Sequence, residues 1–311
     1  MIAESIGENV FTENLVGEIA DCILDSPDFD WRQTEEVRLR VGRPVYVRCA
    51  QRQYIVKKQG KPLVAEHAMV ERSVVLLAKS SFYAFEEEMR QGFITVKGGH
   101  RMGLCGETVL ENGQIKTLKN ISSINFRVAR EIYGAADAVL PYIWDGGRLR
   151  QTLLVAPPAV GKTTVLRDLA RKFGDGEDVP VFNVGIADER CEIAASFLGT
   201  PQMNIGACSD VISGCSKADG IMMLIRSMAP DLVLTDEIGR KSDAAALRDA
   251  MNCGVKVIAT AHGADYGEIQ KRPVVKDLLR DGFFERVIVL ARGRRGVYPK
   301  AVYGEEGEKL C

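Results

Sequence analysis

The chain has 311 residues, with 41 basic and 42 acidic side chains and a formal net charge of -1. This length allows two domains with buried cores, and 46% hydrophobic residues are typical of a folded protein. The balanced charge excludes overall electrostatic steering toward nucleic acid or anionic lipid. The eight cysteines are scattered without a C-x-x-C pair and the chain has three histidines, so we expect free thiols and no zinc site.

The N-terminal segment MIAESIGENVF contains no lysine or arginine, which does not fit the basic start of a signal peptide. No apolar run in the sequence approaches the roughly 18 residues that a membrane-spanning helix needs. We therefore expect a cytoplasmic protein that contacts membranes only through partners.

The first part of the chain mixes helical and strand patterns. Residues 12–25 carry apolar side chains at helical spacing, which predicts an amphipathic helix. Short strands separated by turns are predicted over 35–57. Helical periodicity returns over 66–79 and continues over 82–90.

The next stretch alternates apolar and polar residues and predicts a β-meander. Within it, Asn112-Gly113 is a strong signal for a two-residue hairpin loop. A further strand is predicted over 121–130 and a short helix over about 133–143. A glycine-rich turn follows, so we divide the chain into an α+β domain of residues 1–143 and a second domain of residues 144–311.

In the second domain, apolar strands alternate with helices. The predicted strands cover residues 152–156, 181–187, 231–235, 255–261 and 286–291, and the predicted helices begin at Gly161 and cover 217–229 and 242–253. Ser242 is the expected N-cap of the last helix, and Gly254 the residue that ends it. Continuous apolar strands between helices are typical of an α/β fold, with a parallel sheet covered on both faces.

A phosphate-binding loop is predicted between the strand 152–156 and the helix that follows it. The candidate nucleotide-binding residues are Ala156, Pro157, Pro158, Ala159, Val160, Gly161, Lys162, Thr163 and Thr164. Backbone N–H groups of such a loop converge on phosphate, and the helix N-terminus adds its positive dipole end. We expect Lys162 to reach the β- and γ-phosphates of ATP and Thr163 to ligate Mg²⁺. Ala156 and Ala159 stand where glycine is common, which restricts the loop.

Asp236 and Glu237 directly follow the apolar strand 231–235. An aspartate at this place can hold Mg²⁺, usually through water. A glutamate beside it can polarise an attacking water molecule. The pair therefore favours a hydrolase over a nucleotide kinase, whose nucleophile is an oxygen of the substrate.

Polar residues also end two neighbouring predicted strands. Glu189 and Arg190, in the segment ADERCEI, follow the strand 181–187, at the edge where open α/β sheets bind ligands. His262 follows the strand 255–261 and is a candidate sensor of the γ-phosphate. Arg226 is a candidate arginine finger, as are several arginines of the first domain. Each of these residues also suits an ordinary structural or surface role.

With these motifs located, the chain resembles the stage III sporulation protein AA family, a branch of the ATPases that drive type II and type IV secretion and pilus assembly. The resemblance rests on EVRLRVGRPV and ISSINFRVARE in the first domain, and on PPAVGKTTVLRDLAR, ADERCEIA, LVLTDEIG and IATAHG in the second. In the phosphate loop the chain departs from the family, reading APPAV where GPPGS is usual.

This resemblance implies a RecA-like ATPase core that uses ATP and Mg²⁺. It also implies a ring-shaped homo-oligomer, expected to be a hexamer, with integral membrane proteins of a sporulation channel as partners. The channel would lie between mother cell and forespore, and membrane contact would be indirect. The leading hypothesis is thus an ATP hydrolase that powers such a channel.

Two alternatives remain open. A nucleic-acid-stimulated RecA-like ATPase is disfavoured by the balanced charge, since DNA motors usually carry a basic stripe, and no nucleic acid is expected as partner. A non-hydrolysing scaffold would use ATP only to order an oligomer. A small-molecule kinase fits the family resemblance less well than either.

Overall fold

The computed structural model describes residues 10–49, 52–78, 89–90, 92–294 and 296–311. The chain divides into two compact units, residues 1–130 and 131–311. The sequence-based boundary after residue 143 lies later in the chain than this division. The difference arises because Ala136, Val139, Leu140 and Ile143 are buried in the core of the second unit.

The first unit is an α+β fold built on a six-stranded sheet in the order β3-β2-β1-β8-β7-β6. Its strands are β1 (Thr34–Arg40), β2 (Tyr46–Cys49), β3 (Gln53–Ile55), β6 (Phe93–Val96), β7 (His100–Glu111) and β8 (Gln114–Arg127), with a separate ladder of β4 (Lys57–Lys58) and β5 (Lys61–Pro62). All neighbouring strands are antiparallel. The helices are α1 (Gly17–Leu24) and α2 (His67–Ala78).

The predicted Asn112-Gly113 hairpin is confirmed. Glu111 pairs with Gln114 across the turn, and the φ angles of Asn112 and Gly113 are 52° and 77°. Two left-handed residues in a row match the right-handed twist of the flanking strands.

Other predicted elements of this unit differ in their bounds. The strand expected over 121–130 is the end of the longer β8, which begins at Gln114. The helix expected over 12–25 is interrupted at residues 15–16, and α1 begins at Gly17. The helix expected over 82–90 lies almost wholly outside the described residues.

The second unit contains a seven-stranded sheet in the order β13-β12-β14-β15-β11-β16-β17. Its strands are β11 (Thr152–Ala156), β12 (Val184–Asp188), β13 (Ser209–Ser213), β14 (Leu232–Thr235), β15 (Lys256–His262), β16 (Arg286–Gly293) and β17 (Gly296–Tyr303), with a small ladder of β9 (Trp144–Asp145) and β10 (Arg148–Leu149). Neighbours in the large sheet are parallel except β16 and β17. The predicted parallel sheet is therefore confirmed.

Helices cover both faces of this sheet. They are α3 (Leu140–Ile143), α4 (Lys162–Asp175), α5 (Lys217–Met228), α6 (Lys241–Asn252), α7 (Tyr266–Ile269) and α8 (Pro273–Arg280). Helices α3 and α4 pack with Leu154 and Ile258 on one face, and α5 to α8 pack with Leu153 and Val257 on the other. Along the described segments, none of the helices has both the length and the apolarity to cross a bilayer.

Some predictions for the second unit are corrected in detail. Ser242 is not the N-cap of α6, because the helix begins at Lys241 with Arg240 as N-cap. The Asp243 carboxylate accepts the backbone N–H of Arg240 at 2.9 Å and closes this end. Gly254, with φ 81°, follows the C-cap as expected. Between 133 and 143, only α3 forms an α-helix.

Candidate functional site

The parallel sheet brings four separated sequence motifs to one edge. Ala156, the last residue of β11, pairs with His262, the last residue of β15. Strand β15 in turn separates β11 from β14. Asp188 ends β12 and Asp236 follows β14, one position beyond the paired residues of those two strands. The carboxyl ends of parallel strands form the edge at which open α/β sheets bind ligands.

The phosphate loop connects β11 to α4 in a conformation that demands glycine at Gly161. Its φ angle is 118°, and a Cβ atom there would lie 2.9 Å from a methyl group of Val297 in β17. Ala159 also adopts a left-handed φ, 62°, which costs an alanine on the order of 1 kcal/mol or more. The loop thus contains two residues with positive φ, Ala159 and Gly161, just before α4 begins. Thr163 and Thr164 lie half-buried in the first turn of α4.

Lys162 is held beneath this loop. Its Nζ atom donates to the carbonyl oxygens of Ala156 and Pro157 at 2.7 and 3.1 Å and to Nδ1 of His262 at 2.8 Å. The side chain is 6% exposed, and burial lowers the pKa of Lys162. A buried ammonium with three uncharged acceptors is poised for an anion that can replace some of them.

His262 links Lys162 to Glu237. Lysine is a donor only, so Nδ1 of His262 accepts and the other ring nitrogen, Nε2, carries the proton. That Nε2–H group donates to Oε1 of Glu237. The neutral imidazole therefore connects the lysine of the phosphate loop with the carboxylate after β14.

Glu237 is further fixed by two other contacts. Arg190 donates to its second carboxylate oxygen at 3.3 Å. Its backbone N–H donates to the hydroxyl of Thr260 at 2.8 Å, and its φ angle is 43°. A left-handed φ at a non-glycine residue is strained, and such strain is often found at functional sites. Of the predicted catalytic residues, the structure thus joins Lys162, His262, Glu237 and Arg190.

Asp236 is the candidate metal ligand, together with Thr163. It is 3% exposed, and burial and then the charge of Asp188 raise the pKa of Asp236 to about 7. The charges of Asp188, Glu192 and Glu237 act on this carboxylate, and Lys217 only partly offsets them. A buried carboxylate among other carboxylates fits a cation. The described residues contain no cluster of three or more His, Cys, Asp or Glu that could hold a metal. Mg²⁺ needs none, since it keeps several waters and takes one or two protein ligands beside phosphate.

Asp188 organises the segment after β12. Its carboxylate accepts three backbone N–H groups, those of Glu192, Ile193 and Ala194, at 2.8, 3.0 and 2.9 Å. Burial raises the pKa of Asp188 despite these bonds. The sequence places Asp188 beside Glu189 and Arg190 at the end of a predicted strand. It did not predict the structural role of Asp188.

Glu189 belongs to a different cluster from Glu237. Its carboxylate binds Lys217 at 2.8 Å and Arg240 at 3.4 Å. Lys217, the first residue of α5, is buried and was not predicted from the sequence. Lys217 begins α5 and Arg240 is the N-cap residue of α6, so the contacts of Glu189 tie the turn after β12 to these two helices.

The structure does not bring Arg226 to the network within this chain. Arg226 is exposed in the last turn of α5, at the opposite end of that helix from Lys217. The predicted role of an arginine finger would therefore require a neighbouring subunit.

A cavity of about 160 Å³ lies beside the phosphate loop. Tyr133, from the start of the second unit, forms one wall, Gly161 and Thr164 form another, and Arg292 and Val297 of the last hairpin complete it. Sequence reasoning missed this cavity, because its walls come from segments far apart in the chain.

These features define a class of protein. In this parallel sheet, one strand separates the phosphate-loop strand from the strand with the acidic pair. This order defines a RecA-like P-loop NTPase core, which is preceded here by a smaller α+β unit. The chain belongs to the family described as Sporulation stage III, protein AA, which matches residues 10–310. It is 39% identical to Stage III sporulation protein AA of Bacillus subtilis (strain 168) over 308 residues, 97% of each chain.

Solved structures of a pilus retraction motor and of a bacterial ATPase share this fold. The pilus retraction motor PilT with bound ADP gives a TM-score of 0.56 at 16% identity, covering 89% of this chain and 78% of that one. The Legionella pneumophila ATPase DotB gives 0.54 at 14% identity, covering 88% and 77%. At such low identities the likeness concerns the fold alone.

Proposed function

We propose that this protein binds ATP with Mg²⁺ and hydrolyses it, as the motor of a membrane channel in sporulation. The observation that carries the proposal is the hydrogen-bonded chain from Lys162 through His262 to Glu237, directly beneath the phosphate loop. It combines a phosphate-binding lysine, a polar sensor and a carboxylate for water. The names of the relative and of the structural neighbours, a sporulation protein, a pilus motor and an ATPase, support the same reading.

Nucleotide binding uses the loop and the start of α4. Backbone N–H groups of residues 159–164 bind the phosphates, and Lys162 exchanges its carbonyl partners for β- and γ-phosphate oxygens. The cavity next to Tyr133 and Thr164 accommodates the nucleoside. Thr163 and Asp236 hold Mg²⁺, which when bound neutralises charge on the phosphate oxygens.

Hydrolysis then requires a positioned water molecule. Glu237 orients it by accepting a hydrogen bond, and the water oxygen forms a bond to the γ-phosphorus while the bond to the β–γ bridging oxygen breaks. The bridging oxygen keeps the electron pair and leaves as ADP. The water proton passes to Glu237 or to the released phosphate. His262 keeps Glu237 in place through its Nε2–H group, and it senses the γ-phosphate through Lys162, which leaves Nδ1 when phosphate binds.

The assembly is proposed on the family resemblance. A ring-shaped homo-oligomer, expected to be a hexamer, places exposed Arg226 of one subunit within reach of another subunit's nucleotide. Integral membrane proteins of the channel are the partners, so the protein stays cytoplasmic and contacts the membrane indirectly.

The test compares nucleotide binding and turnover of wild type, Lys162→Ala and Glu237→Gln. We expect Lys162→Ala to lose ATP binding, and Glu237→Gln to bind ATP while its turnover falls by about 100-fold. Lys241→Ala is the matched control, because Lys241 is also the first residue of a helix and is exposed. Equal near-zero rates in wild type and Glu237→Gln would favour the scaffold, and strong stimulation by single-stranded DNA would favour the nucleic-acid-dependent ATPase.

A further inference from the structure

Helices α7 and α8 cross the strand that leads into the phosphate loop. They connect β15 to β16, and these two strands flank β11 on its two sides. They pack on the face of the sheet opposite to α4. Because β15 ends and β16 begins at opposite edges of the sheet, α8 runs back across it, and its N-terminus lies toward the edge with the phosphate loop. Arg272 is the N-cap residue of α8.

A short series of contacts leads from the loop to Arg272. The N–H group of Gly263, just after β15, donates to the carbonyl of Ala156 at 3.3 Å. The next N–H group, that of Ala264, donates to Oε2 of Glu268 at 2.7 Å. Glu268 Oε1 lies 3.5 Å from the guanidinium of Arg272. Arg272 is thus tied to the first residue of the phosphate loop through one backbone turn and one carboxylate.

These contacts bring the positive charge of Arg272 to the sheet edge that also holds Lys162. An anion bound at this edge is attracted by both cations. The Arg272–Glu268 pair is half-exposed, with side chains 43% and 46% accessible. Such an exposed ion pair is weak, so an incoming phosphate can replace Glu268.

We propose that Arg272 is a phosphate-binding residue supplied by the same subunit, which leaves Glu268 and binds the terminal phosphate of ATP. This inference rests on the proposed function. A guanidinium presents two parallel N–H groups that match phosphate oxygens, which lysine does not. Arg272 therefore distinguishes a triphosphate from a diphosphate, while Lys162 binds both.

The test measures ATP and ADP affinity by calorimetry with Mg²⁺ for wild type, Arg272→Ala, Arg272→Lys and Glu268→Ala. We expect Arg272→Ala to weaken ATP binding by about tenfold or more and ADP binding by less than about twofold. Arg272→Lys should fall between, and Glu268→Ala should bind ATP at least as tightly as wild type. Arg280→Ala is the matched control, because Arg280 is an exposed arginine of the same helix paired with Asp277 and Asp281.

Each outcome decides the proposal. Wild-type ATP affinity in Arg272→Ala overturns it, and so does an equal loss for ATP and ADP, which would indicate a general effect on the site. If Arg272→Ala melts well below wild type, the ATP-to-ADP affinity ratio of Arg272→Lys decides, and an unchanged ratio overturns the proposal. If wild type binds neither nucleotide, the proposed function fails, whatever the Arg272 variants do.

Discussion

His262 occupies the central place in the network of side chains at the sheet edge. Because Nδ1 accepts from Lys162 and Nε2 donates to Glu237, the imidazole holds both groups. Lys162 must change partners before it binds phosphate, so ATP binding alters both contacts of the histidine at once. We infer that His262 transmits the arrival of phosphate from the loop to the water-binding carboxylate.

Because Asp236 is a buried carboxylate, the stability of the folded protein should depend on pH through its ionisation. The unfolded chain releases this proton near pH 4 and the folded protein near pH 7, so the folded state binds more protons between these values. Ionisation therefore lowers stability as pH rises from about 4 to 7, and the loss is complete above about 7. Asp236→Asn removes this cost. In the absence of Mg²⁺ and nucleotide, we expect Asp236→Asn to raise the free energy of unfolding at pH 8 by about 4 kcal/mol.

The measurement is urea denaturation of wild type and Asp236→Asn at pH 8 and pH 4.5. The stabilisation should fall to about a quarter of this value at pH 4.5, where the aspartate is protonated in the folded wild type but still mostly ionised in the unfolded chain. The same difference at both pH values would show that ionisation is not its cause. Asp210→Asn, at an exposed position, should change neither value.

The spacing of residues in the sequence predicts some of the site residues and not others. Lys162, Glu237 and His262 follow apolar strands, and a parallel sheet necessarily gathers such strand ends at one edge. Side-chain partners are not encoded in that spacing. Glu189 follows a strand as the other candidates do, and the spacing did not predict that its carboxylate binds Lys217 of α5.

At the level of the elements, β12 and the turn after it are joined by one buried carboxylate. One oxygen of Asp188 accepts the N–H of Glu192, and the other accepts those of Ile193 and Ala194. The same turn is held from α4, since Arg167 donates to the carbonyls of Glu192 and Ile193. The turn that carries Arg190 to Glu237 thus depends on hydrogen bonds from two elements.

Asp188→Asn tests this dependence. The amide places an NH₂ group against backbone N–H donors, which leaves buried donors without acceptors. We expect a loss of about 2–4 kcal/mol in the free energy of unfolding, measured by urea denaturation at pH 7. Asp210→Asn is again the control, because Asp210 pairs in register with Gly185 of β12 on the neighbouring strand but is exposed. Equal stability of the two variants would contradict the role of Asp188.

The central strands of the second unit were predicted from sequence, and its edges were not. Strands such as β11 and β12 are buried on both faces, so their sequences are continuous apolar runs. The edge strands β13 and β17 contain exposed and half-buried positions and show no such run. The hydrophobic pattern of an edge strand is weak because one of its neighbours is solvent.

Across the whole molecule, the segment between residues 131 and 143 belongs to the second unit by its packing. Asp168 of α4 accepts the N–H of Ala136 at 2.9 Å. Lys172, also in α4, binds Asp137 at 3.0 Å. The same segment places Tyr133 beside the phosphate loop. Residues 133–143 form turns and one short helix, which leave no hydrophobic periodicity in the sequence. The domain boundary was therefore predicted at the later glycine-rich turn.

Two fragments of the chain distinguish these boundaries. The fragment 131–311 keeps both hydrophobic cores, and we expect it to unfold in one cooperative transition. The fragment 144–311 lacks Ala136, Val139, Leu140 and Ile143, whose burial contributes about 5 kcal/mol, and leaves Asp168 without its backbone donor. We expect it to be insoluble or to lose its cooperative transition in thermal melts followed by circular dichroism. Equal melting temperatures of the two fragments would instead place residues 131–143 outside the folded core of the second unit.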